Sequence, residues 1–315
     1  MKSAINFVRG AVAKNETIPI LTHIHVYSAR IQASNGRIVI DTPCPELKGF
    51  EFTSPVKTFV LAIDNCPTEP QLSAKDHVLT IKSGKFKVSF PMLPEEYPVV
   101  SIDKSESQPI SIKLLPVLRK LQPFISQDAN QQWSCGIFFN GPNAYATNNV
   151  VMATTPCDDI GIINLSSACI DELLRIGNEP IGIIRGENHV VFLYEGGAWL
   201  RANTLATNWP DVGRFIPGHV EGFEVDDDFR ADFNRVALFT AKDDTVHLNE
   251  DGIRTFDGST EITEYDLPDC YFKATHLSNV LSIAEIIDFS LYPKPCPWIG
   301  NNTRGVIIGV DPNRK

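Results

Sequence analysis

Two stretches of this chain share one pattern, HVLTIKSGKFKV at His77–Val88 and HVVFLYEGGAWL at His189–Leu200. Each is a run of β-branched and aromatic residues, a glycine-bearing turn and a second such run, which is typical of a β-hairpin. The stretches lie 112 positions apart, and this offset continues without a gap to Tyr97-Pro98 and Trp209-Pro210. Agreement over this length predicts that the chain contains a duplicated structural unit.

Helical patterning indicates how many units there are. The segments that open a unit are 2–13, 112–125 and 226–242, and those in the middle of a unit are 56–65, 167–176 and 274–285. Their alternation predicts three units, each ordered helix, strands, helix, strands, and an α+β fold with antiparallel sheets. Polar stretches with glycine or proline suit the joints. The predicted domains are 1–104, 105–217 and 218–315.

Charge is distributed unevenly over the 315 residues. The chain carries 28 Lys and Arg against 38 Asp and Glu, which gives a net charge of −10. Such a balance argues against a protein that coats nucleic acid through a basic exterior. Residues 1–14 and 110–127 nevertheless contain three basic residues each and no acid. Any DNA contact would therefore be confined to a local basic face, and the candidate residues for it are Lys2, Arg9, Lys14, Lys113, Arg119, Lys120, Arg230 and Arg235.

The remaining composition points to a cytoplasmic protein. The first residues lack an apolar targeting region, and charges or prolines interrupt every apolar stretch before the roughly 18 residues of a membrane span. Seven cysteines, an odd number with no C-x-x-C pair, indicate reduced thiols. We expect neither a disulfide framework nor a membrane partner.

Signatures of catalysis are missing from the sequence. It contains no phosphate loop, no dinucleotide-binding glycine motif, no nucleophile elbow and no H-E-x-x-H. His23 and His25 could begin a metal site, but no nearby cysteine or acid completes it. The runs Asp158-Asp159 and Asp226–Asp228 could hold Mg²⁺ in a nuclease, although a loop and a capped helix start are favoured. We expect a non-catalytic protein with no cofactor and no metal.

Three motifs carry a resemblance to a known family. Leu79–Lys85 with Pro91–Pro98 is similar to the hairpin and "LPxxxFP" ending of a first domain, and Trp209–Pro217 to the "FPDYxxxxP" joint between a second and third domain. Ile18–Leu21 resembles an "LPIL" strand. In this order they resemble the bacterial-type DNA polymerase sliding clamp, the β subunit of DNA polymerase III, over essentially the whole chain. A divergent member from a bacterial cell, or from a phage in its host, fits the pattern.

The resemblance implies a mechanism and partners. Three repeated clamp domains would place helices on the inner face and antiparallel sheets outside, and two chains would close head to tail into a homodimeric ring of twice 34.9 kDa. Basic inner helices would contact the phosphates of double-stranded DNA without sequence specificity, which allows sliding. The ring would serve as a processivity factor in DNA replication by tethering the DNA polymerase.

The resemblance also implies site residues. DNA polymerase and clamp loader would bind through short linear peptides in an apolar pocket. The matching positions are Thr147, Met152, Pro210, Arg214, Phe215, Val306 and Ile308. The subunit contact would pair the edge near Val88 with Leu238 and Phe239. Ser134 stands where the family has leucine, Asn149 and Val151 replace a glycine and an arginine, and the ending 309–315 differs.

A second hypothesis from another class stays open at this stage. An acidic, clamp-like interaction protein could bind replication-protein peptides without encircling DNA. The basic helices discriminate the two, because only an encircling ring needs Arg9, Arg119, Lys120 and Arg235 for retention on DNA.

Overall fold

All six predicted helices are present in the computed structural model, which describes residues 1–13, 18–93, 95–111, 113–211, 213–240, 244–263 and 265–311. They are α1 Lys2–Val8, α2 Val56–Asp64, α3 Leu114–Leu121, α4 Ser167–Ile176, α5 Asp227–Ala237 and α6 Ala274–Leu281. In α3 the buried residues are Leu114, Leu115, Leu118 and Leu121, the spacing of one helix face. Lys14, Pro94, Ile112, Val212, Lys242 and the ending 312–315 lie outside the described residues.

Twenty-three strands are found in the described part of the chain. The first group is β1 His23–Tyr27, β2 Arg30–Ser34, β3 Ile38–Pro43, β4 Phe52–Pro55, β5 Gln71–Lys75, β6 Val78–Ser83, β7 Phe86–Pro91 and β8 Gln108–Pro109. The second is β9 Gly136–Asn140, β10 Asn143–Thr147, β11 Val151–Pro156, β12 Ile163–Ser166, β13 Gly182–Arg185, β14 His189–Leu193 and β15 Trp199–Asn203. The third is β16 Phe223–Glu224, β17 Thr245–Asn249, β18 Gly252–Thr255, β19 Glu261–Thr263, β20 Cys270–Lys273, β21 Ile286–Ile287, β22 Cys296–Gly300 and β23 Thr303–Ile307.

The order of elements repeats three times along the chain. Each repeat has a helix, four strands, a second helix and three strands, and a short strand precedes the second and third repeats. This confirms the predicted order of helices and strands. The domain boundaries after 104 and 217 stay a prediction, because the chain divides into two compact units that cross them. Unit 1 is 1–111 with 168–204, and unit 2 is 112–167 with 205–315.

The units cross the repeats because neighbouring repeats share sheets. In unit 1, sheet A has the order β4-β1-β2-β3-β15-β14-β13-β8, and in unit 2, sheet B has the order β12-β9-β10-β11-β23-β22-β21-β16. Each joins the first four strands of one repeat to the last three of the next. Two smaller sheets remain, sheet C in unit 2 (β19-β18-β17-β20) and sheet D in unit 1 (β5-β6-β7). Adjacent strands are antiparallel throughout the described pairings.

Both predicted hairpins form, but the offset between them is not constant. Val78 pairs with Pro91 across β6 and β7, whereas Val190 pairs with Ala202 across β14 and β15. The return strands therefore correspond at an offset of 111, since six residues separate Ile81 from its partner Val88 and only five separate Leu193 from its partner Trp199. The prediction of a gapless match was wrong at this point.

The stretch Ile18–Leu21, matched to a strand, forms a tight turn instead. Pro19–Thr22 is a 3₁₀ turn in which the Leu21 N–H donates to the Ile18 carbonyl at 3.0 Å. Proline has no N–H to give to a sheet and its fixed φ suits the first position of a turn. The strand begins only at His23.

Close packing in sheet B depends on one glycine. A Cβ on Gly305 would lie 2.0 Å from the Met152 carbonyl oxygen and 2.6 Å from the ring of Trp298, which is fully buried. Only a residue without a side chain lets β23 approach both groups.

We expect Gly305→Ala to destabilise the protein by about 2–4 kcal/mol, because neither a backbone carbonyl nor a buried indole can move aside cheaply. Thermal unfolding should show a midpoint lower by about 5–10 °C. Gly218→Ala is the matched control, since its Cβ would meet no atom closer than 3.8 Å. Equal midpoints for the two variants would contradict this account.

Candidate functional site

Three of the residues assigned to the peptide pocket form a row across sheet B. Thr147 pairs with Met152 between β10 and β11, and Met152 pairs with Val306 between β11 and β23. Residues directly opposite in antiparallel strands share a face of the sheet. Ile308 follows two residues after Val306 and bonds through its N–H to the Val150 carbonyl at 2.9 Å. The structure therefore brings these side chains, far apart in sequence, onto one surface.

Burial along this row leaves part of it open. Thr147 and Val306 are buried, and the Thr147 hydroxyl donates to the Val151 carbonyl at 2.8 Å. Met152 is half-buried, and Ile308 is 42% exposed. The open part of the row is therefore apolar.

A crossing segment, formed by the described residues 209–211 and 213–218, lies over the same sheet. The Trp209 ring stacks on Phe138 with centroids 5.2 Å apart and meets Trp133 edge-on at 5.1 Å. Phe138 lies opposite Tyr145 in β9 and β10, and a Cβ on Gly213 would be 3.8 Å from the Tyr145 hydroxyl. Aromatic stacking thus anchors the segment to the sheet.

The exposed residues of this segment are the other members of the predicted pocket. Pro210, Arg214 and Phe215 all face solvent, and Phe215 is 56% exposed. The Arg214 guanidinium carbon lies 4.8 Å from the centre of the Phe215 ring, a cation–π contact. Together the row and the segment present aliphatic, aromatic and cationic groups, a combination suited to a short apolar peptide.

The departures from the family pattern have local structural reasons. Asn149 has φ of 70°, in the left-handed region that glycine and asparagine tolerate, and its amide donates to Gln131 Oε1 at 2.9 Å. Val151 and Ser134 are buried, and the Ser134 hydroxyl donates to the Gln131 carbonyl at 2.9 Å. Asparagine here thus adopts a left-handed backbone that glycine also tolerates, whereas the buried Val151 presents no side chain to a ligand.

The basic residues predicted to contact DNA lie on the helices opening the repeats. Lys2 and Arg9 are exposed on and just after α1, and Lys113 and Arg119 at the start and in the last turn of α3. Five of the eight predicted residues have partners or lie outside the description, and Arg230 is one of them. Lys2 pairs with Asp64 at 3.1 Å, Lys120 donates to the Asn301 carbonyl at 2.6 Å, exposed Arg235 pairs with Asp232 at 2.7 Å, and Lys14 is not described.

Arg230 differs from the rest of this set. Its guanidinium donates to the carbonyls of Leu281 and Ala284, at 2.9 and 2.8 Å, and to Asp227 at 2.8 Å. These carbonyls belong to the end of α6 and the residues after it, where backbone acceptors lack helical partners. Arg230 thus joins α5 to α6, and we leave it out of the proposed DNA contacts.

The histidine pair His23 and His25 and the first aspartate of the Asp226–Asp228 run make other contacts. His23 contacts the Pro19 carbonyl through Nδ1 at 2.9 Å, and His25 stacks between Tyr27 and Tyr97; burial lowers the pKa of both histidines. Asp226 caps α5 by accepting from the Phe229 N–H at 2.7 Å. Within the described ranges no group of three His, Cys, Asp or Glu side chains could hold a metal ion. Nor does any described helix have the length and apolarity needed to cross a membrane.

Comparison with solved structures finds the same architecture in sliding clamps. A Caulobacter crescentus β sliding clamp, with polyethylene glycol bound to its putative β-motif tethering region, superposes with a TM-score of 0.80 and 21% identity, over 98% of this chain and 96% of that one. The Thermotoga maritima DNA polymerase III β subunit superposes with a TM-score of 0.80 and 16% identity, over 98% of this chain and 96% of that one. A Pseudomonas aeruginosa clamp bound to griselimycin superposes with a TM-score of 0.79 and 17% identity, over 99% of this chain and 97% of that one. No family model and no curated protein matches the sequence.

This chain has the sliding-clamp fold. The likeness covers nearly the full length of both chains in each comparison, so it includes both compact units.

Within this sliding-clamp fold, the residues predicted for the subunit contact lie on an edge strand and just after a helix. Val88 is on β7, which ends sheet D, and Leu238 and Phe239 follow α5 with 81% and 61% of their surfaces exposed. Sequence reasoning missed Lys82 and Lys87, which lie opposite each other on β6 and β7. The signal was available, because alternation within the predicted hairpin places both outside the core face.

Sequence reasoning also missed Arg175 on α4, which helps to hold the helices of unit 1. Its guanidinium donates to the Asn6 and Phe7 carbonyls at the end of α1, both at 2.7 Å, and to Glu172 at 2.7 Å. The chain offers no sequence signal for this contact, because its partners are backbone carbonyls some 170 positions away.

We expect Trp209→Ala to release the crossing segment of this sliding-clamp fold, because the substitution removes both ring contacts at a cost of about 3–5 kcal/mol. Limited digestion with trypsin should cut after Arg214 at least about ten times faster than in the unmodified chain, since cleavage follows local opening. Phe256→Ala, which removes an exposed ring of the same unit, should leave this rate unchanged. An unaltered rate for Trp209→Ala would show that the stacking does not hold the segment.

Proposed function

We propose that the protein is a DNA sliding clamp, a non-catalytic processivity factor. Two chains would close head to tail around duplex DNA and tether a replicative DNA polymerase. The clamp fold supports this, and one observation in the strand order carries it: the chain contains two complete sheets and the two unfinished parts of a third.

The unfinished parts follow from the rule that builds sheets A and B. Each complete sheet has one antiparallel junction, β3 with β15 in sheet A and β11 with β23 in sheet B. The equivalent third junction would join β19 to β7. Among the described strands, β19 and β7 instead end sheets C and D. Exposed edges of this kind are templates for pairing with another chain, and a second copy offers both missing edges, so two such junctions close a ring.

The register of the missing junction can be inferred from the complete ones. The rows across the two junctions are Gly182–Leu193–Trp199–Asp41 in sheet A and Ile286–Ile299–Arg304–Thr154 in sheet B. Each row begins at the first residue of β13 or β21. The row that begins at the first residue of β5 is Gln71–Lys82–Lys87. In sheet C, Glu261 on β19 occupies the position that Asp41 has on β3, and it lies opposite Arg254.

Charge supports this register. Lys82 and Lys87 lie directly opposite each other and are both exposed, an arrangement that costs stability in an isolated sheet. In a dimer, the partner's strand β19 would place Glu261 of the partner subunit beside Lys87. An acidic neighbour offsets the repulsion between the lysines and suppresses other registers.

The helices supply the proposed DNA contacts. Lys2, Arg9, Lys113, Arg119 and Arg235 are exposed on or beside α1, α3 and α5. Lysine and arginine bind phosphates without reading the bases, so a ring lined by them can slide. The net charge of −10 keeps DNA away from the remaining surface.

The apolar row of sheet B is the proposed site for polymerase and clamp-loader peptides. Thr147, Met152, Val306 and Ile308 supply its floor, and the crossing segment adds Pro210, Arg214 and Phe215. Binding of a fluorescent polymerase-derived peptide that survives Met152→Asp would contradict this assignment.

We expect Lys87→Glu to weaken dimerisation by about tenfold, because it places two carboxylates together at each junction. Glu261→Lys should have a similar effect, and the double variant should recover most of the affinity. Sedimentation would follow the change from twice the 34.9 kDa chain mass to the single mass. Lys48→Glu, an exposed lysine on another surface, is the control. Single variants that dimerise normally would exclude this register.

We expect Arg9→Glu with Arg119→Glu to weaken binding to duplex DNA and flatten its salt dependence, because removing one ion pair with a phosphate reduces the logarithmic slope by about 0.9. Fluorescence anisotropy over a series of salt concentrations measures both the affinity and the slope. Arg37→Glu, an exposed arginine in the turn after β2, should leave the slope unchanged. Equal slopes for all three proteins would favour the alternative of a clamp-like protein that does not encircle DNA.

A further inference from the structure

A short segment of the chain lies across sheet A as a ligand would. This strap, Tyr97–Ile102, has no regular secondary structure. The buried Tyr97 ring stacks on His25 with centroids 5.0 Å apart. The Val100 N–H donates to Gln32 Oε1 at 2.8 Å, and Gln32 Nε2 donates to the Val100 carbonyl at 2.9 Å. One side-chain amide therefore binds both polar groups of one residue of the strap.

The amide that holds the strap is itself fixed. Gln32 is fully buried, and its Nε2 also donates to Asp41 Oδ2 at 3.1 Å. Asp41 is fully buried too, accepts from the Tyr27 hydroxyl at 2.6 Å and is paired with Arg30. Because the oxygen and nitrogen of Gln32 are oriented by this network, the amide is preorganised to accept one backbone N–H and donate to one carbonyl.

Apolar contacts complete the seat of the strap. Val100 and Ile102 pack against a cluster of buried side chains on the same sheet. The cluster consists of Val39, Ile184, Val191 and Trp199. Tyr97, Val100 and Ile102 thus use positions one, four and six of an extended hexapeptide.

This surface of sheet A corresponds to the apolar row of sheet B. In sheet A, Val39 lies opposite Arg201, two residues beyond the Asp41–Trp199 pair. In sheet B, Met152 lies opposite Val306, two residues beyond the equivalent Thr154–Arg304 pair. At the offset of 112 that aligns Tyr97 with Trp209, Ile102 aligns with Arg214. Ile102 is half-buried on its cluster, whereas Arg214 is exposed. The row is covered by the chain itself in sheet A and left partly open in sheet B.

We propose that sheet A carries a second peptide-binding surface, occupied in cis by the strap, that accepts an extended peptide with an aromatic residue followed by aliphatic residues three and five positions later. The Gln32 amide would bind the backbone of any such peptide, and the His25 ring and the Val39 cluster would select its side chains. The proposal rests on the proposed function only through the likeness to the sheet B row, and its contacts are those already made by the strap.

A free peptide must displace the strap, so its apparent affinity depends on the effective concentration of the tethered strap. The strap is tethered on both sides, so it competes with a free peptide as though present at about millimolar concentration. A free peptide therefore binds weakly to the unmodified chain and more tightly once the anchors of the strap are removed.

The test uses a fluorescein-labelled peptide of sequence YPVVSID, which is 97–103 of this chain. We expect it to bind the full-length Val100→Gly/Ile102→Gly variant at least about ten times more tightly than the unmodified chain. Adding Gln32→Ala to that variant should weaken binding about tenfold, whereas adding Met152→Asp should not change it. A peptide with aspartate in place of its isoleucine is the control ligand.

Two results would overturn the proposal. One is a folded double-glycine variant, by circular dichroism, that binds the peptide no better than the unmodified chain does. The other is binding that depends on Met152 and not on Gln32, which would locate the peptide on sheet B and leave the proposed function intact. If the variant does not fold, hydrogen exchange on the unmodified chain decides: millimolar peptide should accelerate exchange of the Val100 N–H, and unchanged exchange would refute the site.

Discussion

Every strand in a sheet needs a neighbour on both sides or a reason to lie at an edge, and this requirement organises the whole protein. No repeat of this chain satisfies it alone. The first four strands of a repeat end at β3, β11 or β19, and these strands find no second neighbour within their own repeat. The last three strands of a repeat end at β15, β23 or β7 in the same condition. The described strands meet the requirement twice, and a second chain is the proposed neighbour of the remaining pair of edges, β7 and β19. The proposed ring is the consequence of this count.

The need to pair backbone groups also determines what some of the arginines bind. Two arginines bind backbone carbonyls at helix ends, Arg230 at the end of α6 and Arg175 at the end of α1, and the first of them was a predicted DNA contact. Carbonyls at helix ends lack partners, and a guanidinium with its several donors can bind two of them at once. What remains for phosphate is a small exposed set, of which Arg9 and Arg119 are the clearest members. A few exposed cations in an otherwise acidic molecule suit weak, mobile contact with DNA.

Local features were predictable and non-local ones were not. The six helices and both hairpins follow from periodicity and turn residues, which act over a few positions. The shared sheets could not be predicted, because pairing of β3 with β15 joins residues about 160 positions apart through backbone groups that every sequence carries. The row of Thr147, Met152 and Val306 was reached through resemblance to a family, since three separate strands compose it. The contacts of Arg230 could not be predicted because its acceptors are backbone carbonyls, which every residue carries.

Sharing sheets between repeats also sets the order in which the chain can mature during synthesis. When the first repeat has left the ribosome, β3 still lacks its neighbour, and about 100 further residues must emerge before β15 arrives. The same delay separates the end of the second repeat from β23. A nascent chain therefore carries open sheet edges while the following repeat is made. The polar and charged residues near β7 and β19 protect the two edges for which the described part of the chain supplies no neighbour.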